Sequence, residues 1–419
     1  MSRTTLNRAS LLICSILLIA SQQAAAQAGH LDPTFGNGGI VTTDFGDQQQ
    51  TANMATANAV TIQPDGKIVV AGGVPGPHGF PAPAVARYNS NGSLDTSFGT
   101  SGVVSIPSIE AVPLMAVALQ SDGSIVAVGV NIVVRFLSSG VLDSTFGTAG
   151  IASLGNDFIG AATQGVVIQP DGKILVADRY LLRFLSNGQF DTSFGNGGTA
   201  RTAGYPATGL ALLPSGKILV SSLQIASGFI SQYDSNGSLD TTFGIGGQLA
   251  SPGTAVGLLP LGTGDFIAGG SLTNNSIFVP FGAPTGFAVS RYLGAGVTDA
   301  TFGTNGGAVT FVPNYATVTT SSIAAQPSGD IVTVGTASAS GLTAFALARY
   351  TPAGQLDTTF GTNGTVITTF GGGIYAPSLS ANGLTIQSDG KIVVVGSYSV
   401  FVPYHGVDTA FKVMRYLGQ

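Results

Sequence analysis

The 419-residue chain has no tryptophan, three histidines, one glutamate and one cysteine, and only 8% of it is charged. Each shortage closes off a class of chemistry. Cys14 sits in an apolar N-terminal stretch, so the rest of the chain offers no disulfide, thiolate nucleophile or cysteine metal site. The lone glutamate, Glu110, belongs to no His-Glu motif, and neither a Gly-x-Ser-x-Gly elbow between strand and helix nor a phosphate loop occurs. Without tryptophan, stacking on sugar rings is disfavoured. So few charges exclude a helix-rich protein, whereas 61 glycines with no Gly-X-Y period favour strands, tight turns and a large buried fraction.

The N-terminus reads as a signal peptide spanning residues 1–26. Arg3 and Arg8 supply the positive region, Leu11 to Ala20 an apolar run too short to span a bilayer, and Ala24-Ala25-Ala26 the small residues before cleavage. Bulky Ile13 and the continuation of the apolar run past Cys14 speak against lipidation. Residues 27–419 then form one domain, expected in the bacterial periplasm or outside the cell. Its 13 basic and 20 acidic residues, a formal charge of −7, give no reason to bind nucleic acid or anionic lipid. No later run is long enough for a membrane helix, and nearly four hundred residues bury a core without disulfide staples.

What the chain has in abundance is repetition. The phrase Leu31-Asp32-Pro33-Thr34-Phe35-Gly36 returns from Leu94, Leu142, Phe190, Leu239, Thr298 and Leu356, at separations of 63, 48, 48, 49, 59 and 58 residues. A second phrase, clearest at Gln63-Pro64-Asp65-Gly66-Lys67-Ile68 and Gln169-Pro170-Asp171-Gly172-Lys173-Ile174, lies between β-branched runs and reads as a hairpin turn. It erodes to Leu259-Pro260-Leu261-Gly262 in the fifth unit. A third phrase, Ala86-Arg87-Tyr88-Asn89-Ser90-Asn91-Gly92, ends a strand in an Asn-Gly-type turn. The first unit thus holds strands at Gly39–Val41, Ala59–Ile62, Lys67–Ala71 and Val85–Tyr88. Four short strands per unit, seven times over, predict an all-β, seven-bladed β-propeller whose ring is closed by the terminal segments. The repeat places its blades at about 31–93, 94–141, 142–189, 190–238, 239–297, 298–355 and 356–419.

An arginine precedes an aspartate by eight positions at Arg87/Asp95, Arg135/Asp143, Arg183/Asp191, Arg291/Asp299 and Arg349/Asp357, with Gln232 before Asp240. Their recurrence makes them structural pairs that fix turn geometry; exposed, each adds only about 0–1 kcal/mol. Asp32 has no arginine before it and Arg415 no aspartate after it, so these two are expected to pair and close the ring.

Together the three phrases resemble the bacterial delta-60 repeat family of β-propellers, over the chain from Leu31 to its C-terminus. Gln232, Thr298 and the Leu259–Gly262 hairpin depart from its pattern. The resemblance implies an exported repeat protein and carries no activity with it.

Function is expected on the face opposite the uniform Pro-Asp-Gly and Asn-Gly turns, where connections vary in length. They are almost absent at Gly129–Ile132 and Ala177–Tyr180, and long at Val74–Pro83, Ser271–Gly286, Ala337–Thr343 and Tyr398–Ala410, forming one arc over blades five, six, seven and one. The candidate binding residues there are His78, Phe80, Phe278, Phe281, Tyr398, Phe401, Tyr404 and His405, a surface for a protein, glycan or cell-envelope partner. His78, His405 and Asp408 read as solvated loop residues in preference to a zinc site. No catalytic residue, metal or cofactor is expected, and the protein is taken as a monomer. The leading reading is an exported binding or scaffold module. The alternative is an enzyme, of hydrolase or lyase type, with its site at the central channel mouth.

Overall fold

A computed structural model describes residues 27–45, 55–109, 111–155, 165–202, 206–224, 227–251, 253–272, 285–371, 376–403 and 406–419. The repeated turn joins the first two strands of each sheet. At the first, the Gln63 N–H donates to the Lys67 carbonyl (2.8 Å), and Gly66 takes a φ of +83°, joining strands Thr56–Ile62 and Ile68–Pro75. Strands Pro81–Tyr88 and Val103–Ser105 complete blade one. Among the described residues, 28 strands form seven such four-stranded antiparallel sheets, a seven-bladed β-propeller, with no helix.

Apolar side chains fill the seams between blades. One cluster joins Val69, Ala71 and Val85 of blade one to Ile125, Ala127 and Val134 of blade two, and six further clusters repeat the arrangement round the ring. The two middle strands of each sheet are therefore buried on both faces. This is why they read as continuous Val/Ile/Ala runs and not as strict alternation.

Sequence repeat and sheet are out of phase by one strand. The strand after each Leu-Asp-x-x-Phe-Gly phrase lies on the outer edge of the preceding sheet: Val103–Ser105, which follows the second phrase, belongs to blade one. The N-terminal strand Ile40–Asp44 therefore does not open blade one. It pairs with Gly406–Tyr416, Ile40 opposite Met414 and Asp44 opposite Ala410, as the fourth strand of blade seven. Offsetting the phase in this way lets the chain ends share a sheet, so the ring closes through a hydrogen-bonded ladder.

The closure extends to a turn made from both ends. Each Asn-Gly-type turn lends a carbonyl to the preceding blade, as when the Gly36 N–H donates to Asn91 (2.8 Å). The seventh copy is supplied by Ala28, whose carbonyl accepts from Gly361 (2.9 Å), while the Gly29 N–H donates to Leu417 (2.8 Å). Gly29 has a φ of +85°, and a Cβ there would stand 2.7 Å from the Gly361 nitrogen. Only glycine fits that position.

Candidate functional site

The Arg87-Tyr88 pair that ends the third strand of blade one faces two ways. From Arg87, Nε donates to Asp95 Oδ2 (2.7 Å), the guanidinium lies 4.5 Å from the centre of the Phe98 ring, and Nη1 reaches forward to the Ser138 carbonyl of blade two. Tyr88 reaches back, its hydroxyl 2.7 Å from Thr43 Oγ1 on the edge strand of blade seven. Arg135, Arg183, Arg291, Arg349 and Arg415 repeat the contact with Asp143, Asp191, Asp299, Asp357 and Asp32. Each also stands over its own phrase's phenylalanine, at 4.4–5.0 Å.

Most of these pairs are buried: the Arg87 and Asp95 side chains are 7% and 9% exposed. They are not the exposed turn clips expected from spacing, because the phenylalanine and the next blade's turn cover them. The Ser97 hydroxyl bonded to Asp95, with Lys67 and Arg87 nearby, holds that carboxyl far below the usual range against the cost of burial. At blade four, where Gln232 replaces arginine, Lys217 Nζ takes over and sits 2.5 Å from Asp240 Oδ2. Spacing alone does not mark this lysine, although the Lys of the hairpin phrase recurs beside the aspartate at Lys67, Lys173 and Lys391.

On the opposite face, the long connections of blades one, six and seven are extensions of paired strand. Pairing runs out to Pro75 opposite Pro81, Ala339 opposite Leu342, and Val402 opposite Gly406. A protruding segment with few polar side chains keeps its backbone groups satisfied most simply by continuing the ladder. The three hairpins stand on consecutive blades, and each carries a large apolar residue outward: Leu342 (56% exposed), Phe401 (49%) and Phe80 (57%). Leu342 was not among the expected candidates. Its exposure follows from register, since it opens a strand directly after the Ser340-Gly341 turn. His78 and Asp408 are exposed on the same hairpins. Tyr398 is half-buried, with Lys412 Nζ 4.5 Å from its ring centre and Phe370 edge-on at 6.1 Å, so it belongs to the seam and not to the rim. Phe278, Phe281, Tyr404, His405 and Glu110 lie outside the described residues.

The innermost strands enclose the central channel, a cavity of about 720 Å³. Among the described residues, six innermost strands carry a β-bulge at one equivalent position, falling on Asn58, Met115, Thr208, Val256, Ser321 and Asn382. All six side chains line the cavity. A bulge takes a residue out of ladder pairing and re-aims it. Here the bulged side chain of one blade donates to the carbonyl just before the bulge of the next: Asn58 to Leu114 (2.9 Å), Thr208 to Ala255 (2.5 Å), Ser321 to Ala381 (2.5 Å) and Asn382 to Ala57 (2.8 Å). Val256 has no donor to offer Thr320, and Met115 has none for blade three.

The described channel lining consists of Asn, Ser, Thr, Met, Pro, Gly and aliphatic residues, with no titratable group. What it presents is a neutral surface of carbonyls, carboxamides and hydroxyls. The ring leaves no pattern in the sequence because its members share a register position and not a residue type.

Known proteins fit this geometry at the level of fold. The sequence profile of a β-propeller domain family of unknown function, DUF5122, matches residues 63–98, 120–146, 169–194, 213–243, 326–360 and 387–417. Each match begins at the hairpin phrase, and the unit with the eroded Leu259–Gly262 hairpin is the one passed over. The chain is a β-propeller built of repeats. No curated protein matches it in sequence. Among solved structures it is similar to YCF48 bound to a D1 peptide, at 11% identity over 94% of this chain and 99% of that one, with a TM-score of 0.50. It also resembles a gluconolactonase from Xanthomonas campestris (13% identity, 70% and 83% covered, TM-score 0.37) and the polysaccharide lyase Uly1 (10%, 88% and 93%, TM-score 0.44).

Proposed function

We propose that this protein is an exported propeller of the DUF5122 and delta-60 kind, and that it acts as a binding module through the face carrying the channel mouth and the three raised hairpins. The observation behind this reading is the bulge ring, a fixed backbone device on which six blades place different uncharged side chains. A scaffold alone would be served by one residue at every bulge. The variation makes a surface with donors on some junctions and bare carbonyls on others.

That chemistry suits an uncharged ligand bearing N–H or O–H donors, a peptide segment or a glycan. At the blade five–six junction such a donor would supply Thr320 with the hydrogen bond that Val256 cannot. Leu342, Phe401 and Phe80 would cover one flank of the bound ligand and exclude water. An enzyme at the channel mouth is the second reading. It has less support, because the described lining offers no carboxylate or imidazole for acid–base work.

Peptide and glycan arrays probed with the exported form test the proposal, using two variants beside the natural chain. In one, residues 399–409 are replaced by a two-residue turn of blade-three length. The other is Val256→Thr, which supplies the missing donor from within. Binding to an uncharged probe that both variants weaken supports the reading. Binding that survives both, or a preference for charged probes, overturns it.

A further inference from the structure

Asp178 stands out from the repeat in a way the binding face does not explain. It follows strand Ile174–Ala177 of blade three. At the equivalent position, four residues after the first of each second strand, five blades have glycine: Gly72, Gly129, Gly270, Gly335 and Gly396. The reason is steric, since a Cβ on Gly72 or Gly270 would fall within 1.7 Å of the carbonyl of Thr56 or Thr254. In blade three the described ladder begins at Gly165 opposite Ala177, and the next position of the second strand carries a side chain.

The side chain at this position is a carboxylate with no side-chain partner. Asp178 is fully buried and neither of its oxygens has a hydrogen-bond partner. Burial pushes its pKa up, against a modest pull from the Arg179 backbone and charge. Arg179 itself is exposed and forms no ion pair among the described residues. A second stranded acceptor lies at the neighbouring turn: Asn131 Oδ1 of blade two is also buried without a partner. The two turns flank one seam. The Leu154 N–H donates to the Asn131 carbonyl (3.1 Å), and the Leu154 side chain packs in the cluster holding Val176, two residues before Asp178.

Elsewhere in the fold every aspartate of the repeat that is buried is paired, whereas unpartnered amide oxygens recur at Gln63, Gln169 and Gln387, so it is the lone carboxylate that departs from the repeat. An uncompensated buried charge is costly and calls for a counter-charge. We propose that the Asp178 carboxylate and the Asn131 amide oxygen contribute to a site for a hard divalent cation of the calcium class at the top of the blade two–three seam. Oxygen-only donors suit calcium, and its longer bonds and tolerance of irregular geometry suit a carboxylate, an amide and water. A single carboxylate places the affinity at the weak end, on the order of 10⁻⁴–10⁻³ M.

The test is thermal unfolding of the full chain after treatment with EDTA, with calcium chloride or magnesium chloride then titrated to about ten times that range. The comparison variant is Asp178→Gly, which installs the residue of five other blades and so folds without steric cost. Calcium is expected to raise the melting temperature of the natural protein by about 1–2 °C, magnesium by less, and neither to shift Asp178→Gly. Isothermal titration calorimetry is expected to show one calcium per chain, lost in Asp178→Gly and weakened several-fold in Asn131→Ala. A calcium shift that persists in Asp178→Gly, or no calcium binding by the natural chain, overturns the site. Either result leaves the array experiment on the channel face untouched, since that experiment does not depend on Asp178.

Discussion

Arg415 Nε lies 2.8 Å from Asp32 Oδ2, across 383 positions of sequence, in the same geometry that joins residues only eight apart in the other blades. The repeat thus uses one contact twice over, locally inside a blade and globally at the seam where the ring is closed. Arg415 also reaches the Ser90 carbonyl of blade one (2.5 Å), and Tyr416 hydrogen-bonds Thr368 of blade six (2.7 Å). Three neighbouring blades meet at that dipeptide.

Deleting Met414–Gln419 removes these contacts and the end of the ladder to Ile40. The expected outcome is one cooperative melt at a much lower temperature, because opening the closing blade exposes the seams on both sides of it. Arg415→Met leaves the buried Asp32 with its Thr34 hydrogen bonds and Lys391, 3.4 Å away, as its one cation, and is expected to cost about 3 kcal/mol. Calorimetry that showed the truncated chain melting with the full one would rule out closure through these residues.

The architecture was legible because a repeat states its own period. Blade number, hairpin positions and the Asp32–Arg415 partnership could all be read from copies of three phrases. What the phrases could not show was phase. Nothing in Ile40–Asp44 distinguishes a strand opening its own sheet from one closing another, and only the ladder to Gly406–Tyr416 decides it. Burial of the Arg–Asp pairs was equally hidden, since it depends on a phenylalanine three residues past the aspartate folding back under the guanidinium. The channel ring was least visible. Asn58, Met115 and Val256 share no chemistry, and their common role lies in a backbone bulge that leaves no mark on residue type.

Blade four offers a test of the pairing by exchange. Asp240 depends on Lys217, whereas Asp95 has Arg87 as well as Lys67, the lysine lying 3.0 Å away. Lys217→Met is therefore expected to destabilise the protein by about 1–2 kcal/mol, less than a fully buried pair because this lysine is partly solvated. Lys67→Met is expected to cost under about 0.5 kcal/mol. Urea unfolding of the two variants measures the difference. Equal effects would mean that the arginines contribute nothing the lysines do not.

Acid stability carries two opposing signatures. At Asp191 burial works against ionisation, but the hydrogen bonds from Ser193 and the charges of Arg183 and Lys173 outweigh it and bring the pKa to about 2. Hydrogen bonds from Thr145, ahead of burial, and the Arg135 contact lower Asp143 as well. A carboxyl whose pKa is lower when folded binds its proton more readily in the unfolded chain. The stability it confers is complete above the ordinary value of 3.8 and drains away as pH falls toward the folded one. Asp178 has the reverse sign: burial raises its pKa, so in the absence of a bound cation its ionised form weakens the fold above that raised value, and acidification restores the loss. Urea midpoints measured in EDTA from pH 8 downward are therefore expected to rise modestly as Asp178 takes up its proton, then to fall steeply below about pH 4 as the paired aspartates are protonated. Asp178→Gly is expected to abolish the rise and keep the fall. A rise that remained in this variant would assign it to another group, and the claim that Asp178 lies uncompensated in the seam would fail with it.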